Sequence, residues 1–487
     1  MHQRAGRQAV AVVAVVALGA LAACGSSAEP NAGHGARTTS PARTTTVAPT
    51  TTTVAPTTTT APSGTGWTTY GGGVDRRSSV SAPAFVRAPS AVWTSPSLDG
   101  AVYGQPLVYG GTVLVATEND TVYGLDETSG AITWSVHLGT PMPAGDAPCG
   151  DIAPTIGVTS TMVLDPASGT VFASAAVVAG GAVRHDLVAV STRTHQVLWT
   201  LDLDQPGWSA PAQLQRAALA LSAGRILVGF GGNYGDCGAY NGWVVSAPES
   251  GTGPLAVYRV PTAREGAVWA PGGVTVDSTG TIFAATGNGS AGPGQAFDHG
   301  NAVIALTPAM GELGFFAPAD WAQDNASDAD LGSTAPIALG DGRLFIVGKQ
   351  ATAFLLSAAA LGGIGHPLAS LGLCNSRGAN AFDGSSAFVV CTDDGTLVQV
   401  VIGTGNTMAR GWTWHSPTGG AGSPTVAGGV VWSVDPGASV LYGVDEGNGT
   451  TRYAIPLRTG TPTHFAAAAY ADGLLVVAGT QAVEALR

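Results

Sequence analysis

The feature that most constrains this chain is an eightfold recurrence. A glycine-containing turn followed by an apolar strand returns at Gly110–Thr117, Ser168–Ser174, Ala223–Phe230, Thr279–Thr286, Asp341–Gly348, Asp383–Val390, Gly428–Val434 and Asp472–Gly479. A further apolar strand follows each copy, at Val122–Asp126, Leu187–Val190, Trp243–Ser246, Val303–Leu306, Phe354–Leu356, Leu397–Val400, Leu441–Asp445 and Val483–Leu486. Glycine supplies the positive φ of a tight hairpin, and residues two apart along a strand share a face. A unit this small cannot bury its own apolar faces, so neighbouring copies must stack. The last copy stops at Arg487, one strand short, and a strand-like Ser90–Pro96 stretch precedes the first copy. The expectation is therefore an all-β, eight-bladed propeller in which an N-terminal strand completes the last blade. Closure of that kind leaves no open sheet edge between the first and last blades. Trp134, Trp199 and Trp414 close outer strands and read as packing between blades. Copies two to four are longer, which predicts loops gathered on one rim.

The ends of the repeat region define the domains. Arg4 and Arg7 precede an apolar run from Ala9 to Leu21, which at about 13 residues is short of the ~20 a membrane span needs. Leu21-Ala22-Ala23-Cys24 resembles a bacterial lipobox, which implies a leader at 1–23, lipid on Cys24 and an exported protein held on the outer face of the cytoplasmic membrane. Residues 24–66 are a Thr/Pro/Ala-rich stretch with no apolar periodicity, the composition of an extended stalk. The propeller is expected over 67–487. Apart from Cys24, four cysteines remain: Cys149, Cys237, Cys374 and Cys391. In an oxidising compartment they can form two disulfides. Cys374 and Cys391 fall on expected neighbouring strands and Cys149 with Cys237 follows by elimination; free buried thiols are the alternative.

Charge removes several function classes. Residues 1–66 hold four arginines and one glutamate, so the remainder carries sixteen basic against thirty-one acidic residues, with Lys349 the only lysine of the chain. Such a body lacks the basic patch that neutralises nucleic-acid phosphates, and it would not dock on an anionic membrane. No Cys-x-x-Cys, Gly-x-Ser-x-Gly, His-Glu-x-x-His or phosphate loop occurs, and His185, His299 and His464 have no second histidine at ligand spacing. Two polar constellations stand out. Asp320, Asp324, Asp328 and Asp330 crowd one segment, where Asp328 and Asp330 are candidate metal ligands, although a solvated loop with turn-capping aspartates has the same composition. Asp151, Tyr234, Asp236, Tyr240 and Asn241 would converge as a small ligand pocket if Cys149 and Cys237 are joined; a stapled loop is the plainer reading.

The Leu125-Asp-Glu-Thr-Ser-Gly-Ala-Ile-Thr-Trp134 string resembles the tryptophan-docking repeat of the quinoprotein dehydrogenases and of their non-catalytic relatives, including the outer-membrane assembly propeller lipoprotein. Trp67-Thr-Thr-Tyr-Gly-Gly-Gly is similar to the start of those enzymes, and Ala285-Thr-Gly-Asn-Gly-Ser290 to their calcium-site loop. The resemblance implies a calcium ligand and cofactor contact at Asn288. It also implies a catalytic aspartate before Met310-Gly311-Glu312, where Thr307 stands, and a glutamate ligand where Gly180-Gly181-Ala182 offer no carboxylate. The adjacent-cysteine pair is absent. Without hard oxygen ligands and a base, quinone chemistry is not supported. The expectation is a monomeric, non-catalytic binding or scaffold module for an envelope protein or glycan, with no cofactor. A pyrroloquinoline quinone (PQQ)- and Ca²⁺-dependent oxidoreductase acting on alcohols or sugars is the alternative.

Overall fold

The computed structural model describes residues 66–487. The leader, Cys24 and the stalk up to residue 65 lie outside the described residues. Eight sheets, each built on four antiparallel strands and three of them carrying a fifth, follow one another along the chain. Blade 1 runs Leu107–Tyr109, Thr112–Ala116, Thr121–Asp126 and Ile132–His137, and each later blade repeats that order. Every repeat strand anticipated from the sequence is the second or third strand of a blade. The eight turn glycines, from Gly111 to Gly473, all hold positive φ between 69° and 109°, a region in which a β-carbon is strained.

Closure follows the expected route. Ala91–Thr94 pairs antiparallel with Val483–Leu486, Trp93 lying opposite Ala485, and so supplies the outer strand of blade 8.

The core lies between blades rather than within one. In blade 5, Leu344 and Ile346 pack toward blade 4, while Phe345 and Val347 pack toward blade 6. Period-2 alternation here selects which neighbour a side chain meets, and both faces are buried: all six residues of Ser386–Cys391 are inaccessible. At roughly 1.5–3 kcal/mol per buried large aliphatic or aromatic side chain, these inter-blade layers dominate stability.

Tryptophans fasten blade to blade. Trp93 of blade 8 donates its indole N–H to the Glu127 carbonyl (2.7 Å) and lies on Gly130 in the turn of blade 1. Trp412 of blade 6 does the same to Glu446 (2.9 Å) and Gly449 of blade 7, and Trp199 of blade 2 covers Gly251 of blade 3. Trp134 stacks on His195, at 5.0 Å, and Trp414 donates to the Thr451 hydroxyl of blade 7 (2.7 Å). The sequence singled out Trp134, Trp199 and Trp414; Trp93 and Trp412 make the same kind of contact and were not distinguished there.

Two features differ from the sequence reading. Trp321–Ala326 forms a short helix inside the aspartate-rich segment, too short to leave a helical period. The segment Trp67–Val80 is not a simple lead-in, because it runs along the inner strands of successive blades. Trp67 exchanges backbone bonds with Val108 of blade 1, and Thr68 accepts from Leu164 of blade 2. Val74, Asp75, Arg77 and Ser78 then accept in turn from Val276, Ala338, Phe382 and Val426 of blades 4 to 7. Ser79–Val80 finally pairs parallel with the first strand of blade 7.

Candidate functional site

Strand direction decides which end of the channel carries the long loops. Within a blade the loop between the second and third strands, and the crossover from the outer strand to the next blade, emerge at the same end. That end, the rim, carries the long loops 138–162, 203–219, 233–242, 260–274, 286–302 and 318–336, as the lengths of copies two to four predicted. Trp67–Val80 pairs close to the opposite, turn end, next to the hairpins after the first strands. It therefore crosses the inner strands at that end.

A buried arginine holds this segment. Arg76, 2 % exposed, donates to the carbonyls of Val274 (2.9 Å), Tyr70 (3.0 Å) and Leu219 (3.1 Å) and to the Thr69 hydroxyl (2.9 Å). Burial pulls its pKa down to about 10, so it keeps its charge at neutral pH. Gln105 completes the anchorage by accepting from the Trp67 indole and the Gly71 amide, both at 2.9 Å. Tyr70 packs with Ala218, Ala379 and Ala467.

Toward the rim, side chains from several crossovers meet. Arg216 is buried, with its guanidinium 5.9 Å from the Tyr103 and Phe465 rings. Phe465 lies 6.1 Å from Trp269, and Trp269 in turn lies under the Lys349 ammonium at 5.7 Å. Two cations and an aromatic series thus span the mouth of an otherwise acidic protein. Glu118, 2 % exposed, accepts from the Gly157 amide (2.7 Å) and the Thr159 hydroxyl (3.0 Å). Burial raises its pKa to about 7, against the opposing pull of those bonds and of Arg216. Asp120 is fully buried with neither carboxylate oxygen bonded, and burial raises its pKa to about 9, with Glu118, Asp186 and Asp99 adding to the rise.

Asn288, Asp328 and Asp330, separate in sequence, come together on the rim, but around Lys349. The ammonium lies 2.6 Å from Asp330 Oδ2 and 2.8 Å from Asp328 Oδ1. Asn288 turns its amide nitrogen to Asp328 (2.8 Å) and its oxygen to the Asn301 amide (3.1 Å), while its backbone N–H donates to Asp330 (2.7 Å). A divalent cation needs oxygens converging on it; here the convergence point holds an ammonium and Asn288 presents a donor. The residues present do not fit Ca²⁺. Among the described residues no group of three or more His, Cys, Asp or Glu is arranged to hold a metal ion. Asp320 and Asp324 lie at the start and within the short helix, and Asn325 of that helix accepts from the Gly289 amide (2.8 Å) and from Asn301 (2.9 Å), fixing loop 286–302.

Both disulfides form, Cys149–Cys237 joining two rim loops and Cys374–Cys391 bridging blades 5 and 6. The five residues singled out around the first face different ways. Tyr234 is 76 % exposed, and Asp151 faces His464 at 3.6 Å across the mouth. The Tyr240 hydroxyl bonds Asp236, and Asn241 braces Thr262 (3.1 Å) and Arg259 (2.8 Å). The loop is pinned by these bonds and by its disulfide. His185 is buried behind the rim with Nε2 on the Ala210 carbonyl (3.1 Å), and His299 bonds Glu312 (3.2 Å). Arg216, Glu118, Trp269 and Phe465 were missed by the sequence reading. The one available signal was a lone arginine inside the apolar run Leu214–Leu221; Lys349 was noticed only as the single lysine.

Fold and repeat together define the class: a closed eight-bladed propeller of PQQ-like repeats. The family described as outer membrane protein assembly factor BamB matches residues 90–291. Among solved structures, quinohemoprotein alcohol dehydrogenase from Comamonas testosteroni superposes with a TM-score of 0.67 at 13 % identity, covering 86 % of this chain and 80 % of that one. The corresponding enzyme ADHIIG from Pseudomonas putida HK5 gives 0.65 at 14 % identity, with 87 % and 80 % covered. BamB from Moraxella catarrhalis gives 0.55 at 12 % identity, with 82 % and 98 % covered. At these identities the likeness is one of fold. No curated protein matches the chain. Among the described residues no helix is long and apolar enough to cross a membrane.

Proposed function

We propose that this chain is a non-catalytic binding propeller of the cell envelope, tethered through lipid on Cys24 and the stalk at 24–66, that presents its rim to a protein partner. The carrying observation is the rim itself. Trp67–Val80 crosses the turn end, the long loops gather on the rim, and there Lys349 fills the place a divalent cation would need. The BamB family match over residues 90–291 supports a protein rather than a glycan as the partner. Chemical cross-linking in intact envelopes followed by recovery of the full chain tests this. A discrete adduct is expected with wild type and a weakened one with Tyr234→Arg or Asp394→Arg, two exposed rim positions. Equal recovery of nothing from all three overturns the proposal.

A second reading, oxidation of alcohols or sugars on a bound quinone, is favoured by one feature: the Arg216–Phe465–Trp269–Lys349 series suits a planar anion. Incubation of the full chain with PQQ and Ca²⁺, followed by dye reduction with alcohols and sugars, decides it. Turnover that disappears in Asn288→Ala would establish the oxidoreductase.

A further inference from the structure

Lys349 lies where the loop that carries Asn288 would otherwise meet a metal ion. Its side chain is 15 % exposed, its ammonium touches both Asp328 and Asp330, and its backbone N–H donates to the Asp330 carbonyl at 2.8 Å. Asp330 is itself buried, and its other oxygen is taken by the Asn288 amide. Removal of the ammonium would leave the buried Asp330 carboxylate facing the exposed Asp328 carboxylate beside the Asn288 amide. Leaving such a pair uncompensated is unfavourable, and a cation is the direct remedy. The acidic cluster is thus already a cation site, and its cation is part of the chain.

We propose that the Lys349 ammonium is a built-in cation that makes the rim independent of divalent ions, and that taking it away uncovers a latent divalent-cation site formed by Asp328, Asp330 and the Asn288 side-chain oxygen. Asn288 would have to turn its amide over to contribute that oxygen, which the present donor geometry shows it has no reason to do while the ammonium is in place. This concerns ion occupancy only, and its outcome does not depend on whether a partner binds the rim.

Terbium(III) serves as the probe, because Trp269 lies 5.7 Å from the ammonium and would sensitise emission from a lanthanide bound there. With the full wild-type chain no saturable emission is expected up to about 1 mM, the weak end of protein calcium sites. Lys349→Met should give emission that saturates at a concentration at least about tenfold lower and is displaced by Ca²⁺. Lys349→Arg, which keeps the charge, should stay dark. A folded Lys349→Met that stays dark overturns the proposal. So does wild-type emission that saturates in this range and is lost in Asp330→Asn. Thermal midpoints of wild type in EDTA and in Ca²⁺ give an arm that does not depend on folding of the methionine variant. Equal midpoints are expected, and a rise with Ca²⁺ that Asp330→Asn removes overturns the idea.

Discussion

Glu118 offers the sharpest test of the electrostatics at the mouth. Its carboxyl is buried, one oxygen is bonded to Gly157 and Thr159, and the other has no partner. Burial raises the folded pKa to about 7 from an ordinary 4.5. A raised carboxyl pKa means that the folded state binds the proton more tightly than the unfolded one. Stability from this group is therefore fully present below pH 4.5 and declines as pH rises through 7, opposite to the usual carboxylate in an ion pair. The shift corresponds to about 3 kcal/mol at 1.36 kcal/mol per pH unit. Glu118→Gln keeps the shape and an acceptor for Gly157 and Thr159 but has no proton to lose. Urea unfolding of both proteins at pH 5 and pH 8 should show the variant gaining on wild type by about 2.5 kcal/mol between those values, since part of the shift falls below pH 5. An unchanged difference, or a variant that loses ground at pH 8, would refute the reasoning.

Three further outcomes follow from the packing. Trp93→Ala should cost about 3–5 kcal/mol in the same unfolding assay, because a large ring leaves the seam between blades 8 and 1; Gly130→Ala should also destabilise, since its added carbon would meet the Trp93 ring at 2.4 Å. Replacing Cys374 and Cys391 by serine together should lower stability by about 3 kcal/mol, as expected for a cross-linked loop of this size, and reductant should cost wild type more than this, because it also opens Cys149–Cys237. Arg76→Met should speed hydrogen exchange at the Leu164, Val276 and Phe382 amides, which donate to the segment that Arg76 pins, ahead of amides in the blade cores.

Much of this fold could be read from the sequence because the repeat writes itself in backbone requirements. A positive-φ glycine before each second strand and an apolar pair after it survive any drift in side-chain detail, and the strand at Ala91–Thr94 was identifiable because blade 8 lacked one. Trp67–Val80 escaped notice for a physical reason. Its backbone bonds to six distant segments, and backbone pairing of an irregular strand leaves no periodicity. Asn288 stood out through the family resemblance and Asp328 and Asp330 as part of an acidic segment, yet the residue that joins them, Lys349, lies in a different blade and has no motif around it. Tyr234 and Asp236 illustrate the converse: nearness in sequence to Tyr240 and a disulfide suggested a pocket, while the glycine-rich loop turns Tyr234 outward.

The central proposal is that the rim, and not the turn end, is the face that meets a partner. Site-specific photo-cross-linking in intact cells measures this directly, with the reactive group placed at Tyr234 or Asp394 on the rim and at Ser129 or Asn448 in exposed turns of the opposite end. The rim positions should each yield the same discrete adduct and the turn positions none. Adducts from the turn positions alone, or none from any of the four, would contradict a rim-binding propeller.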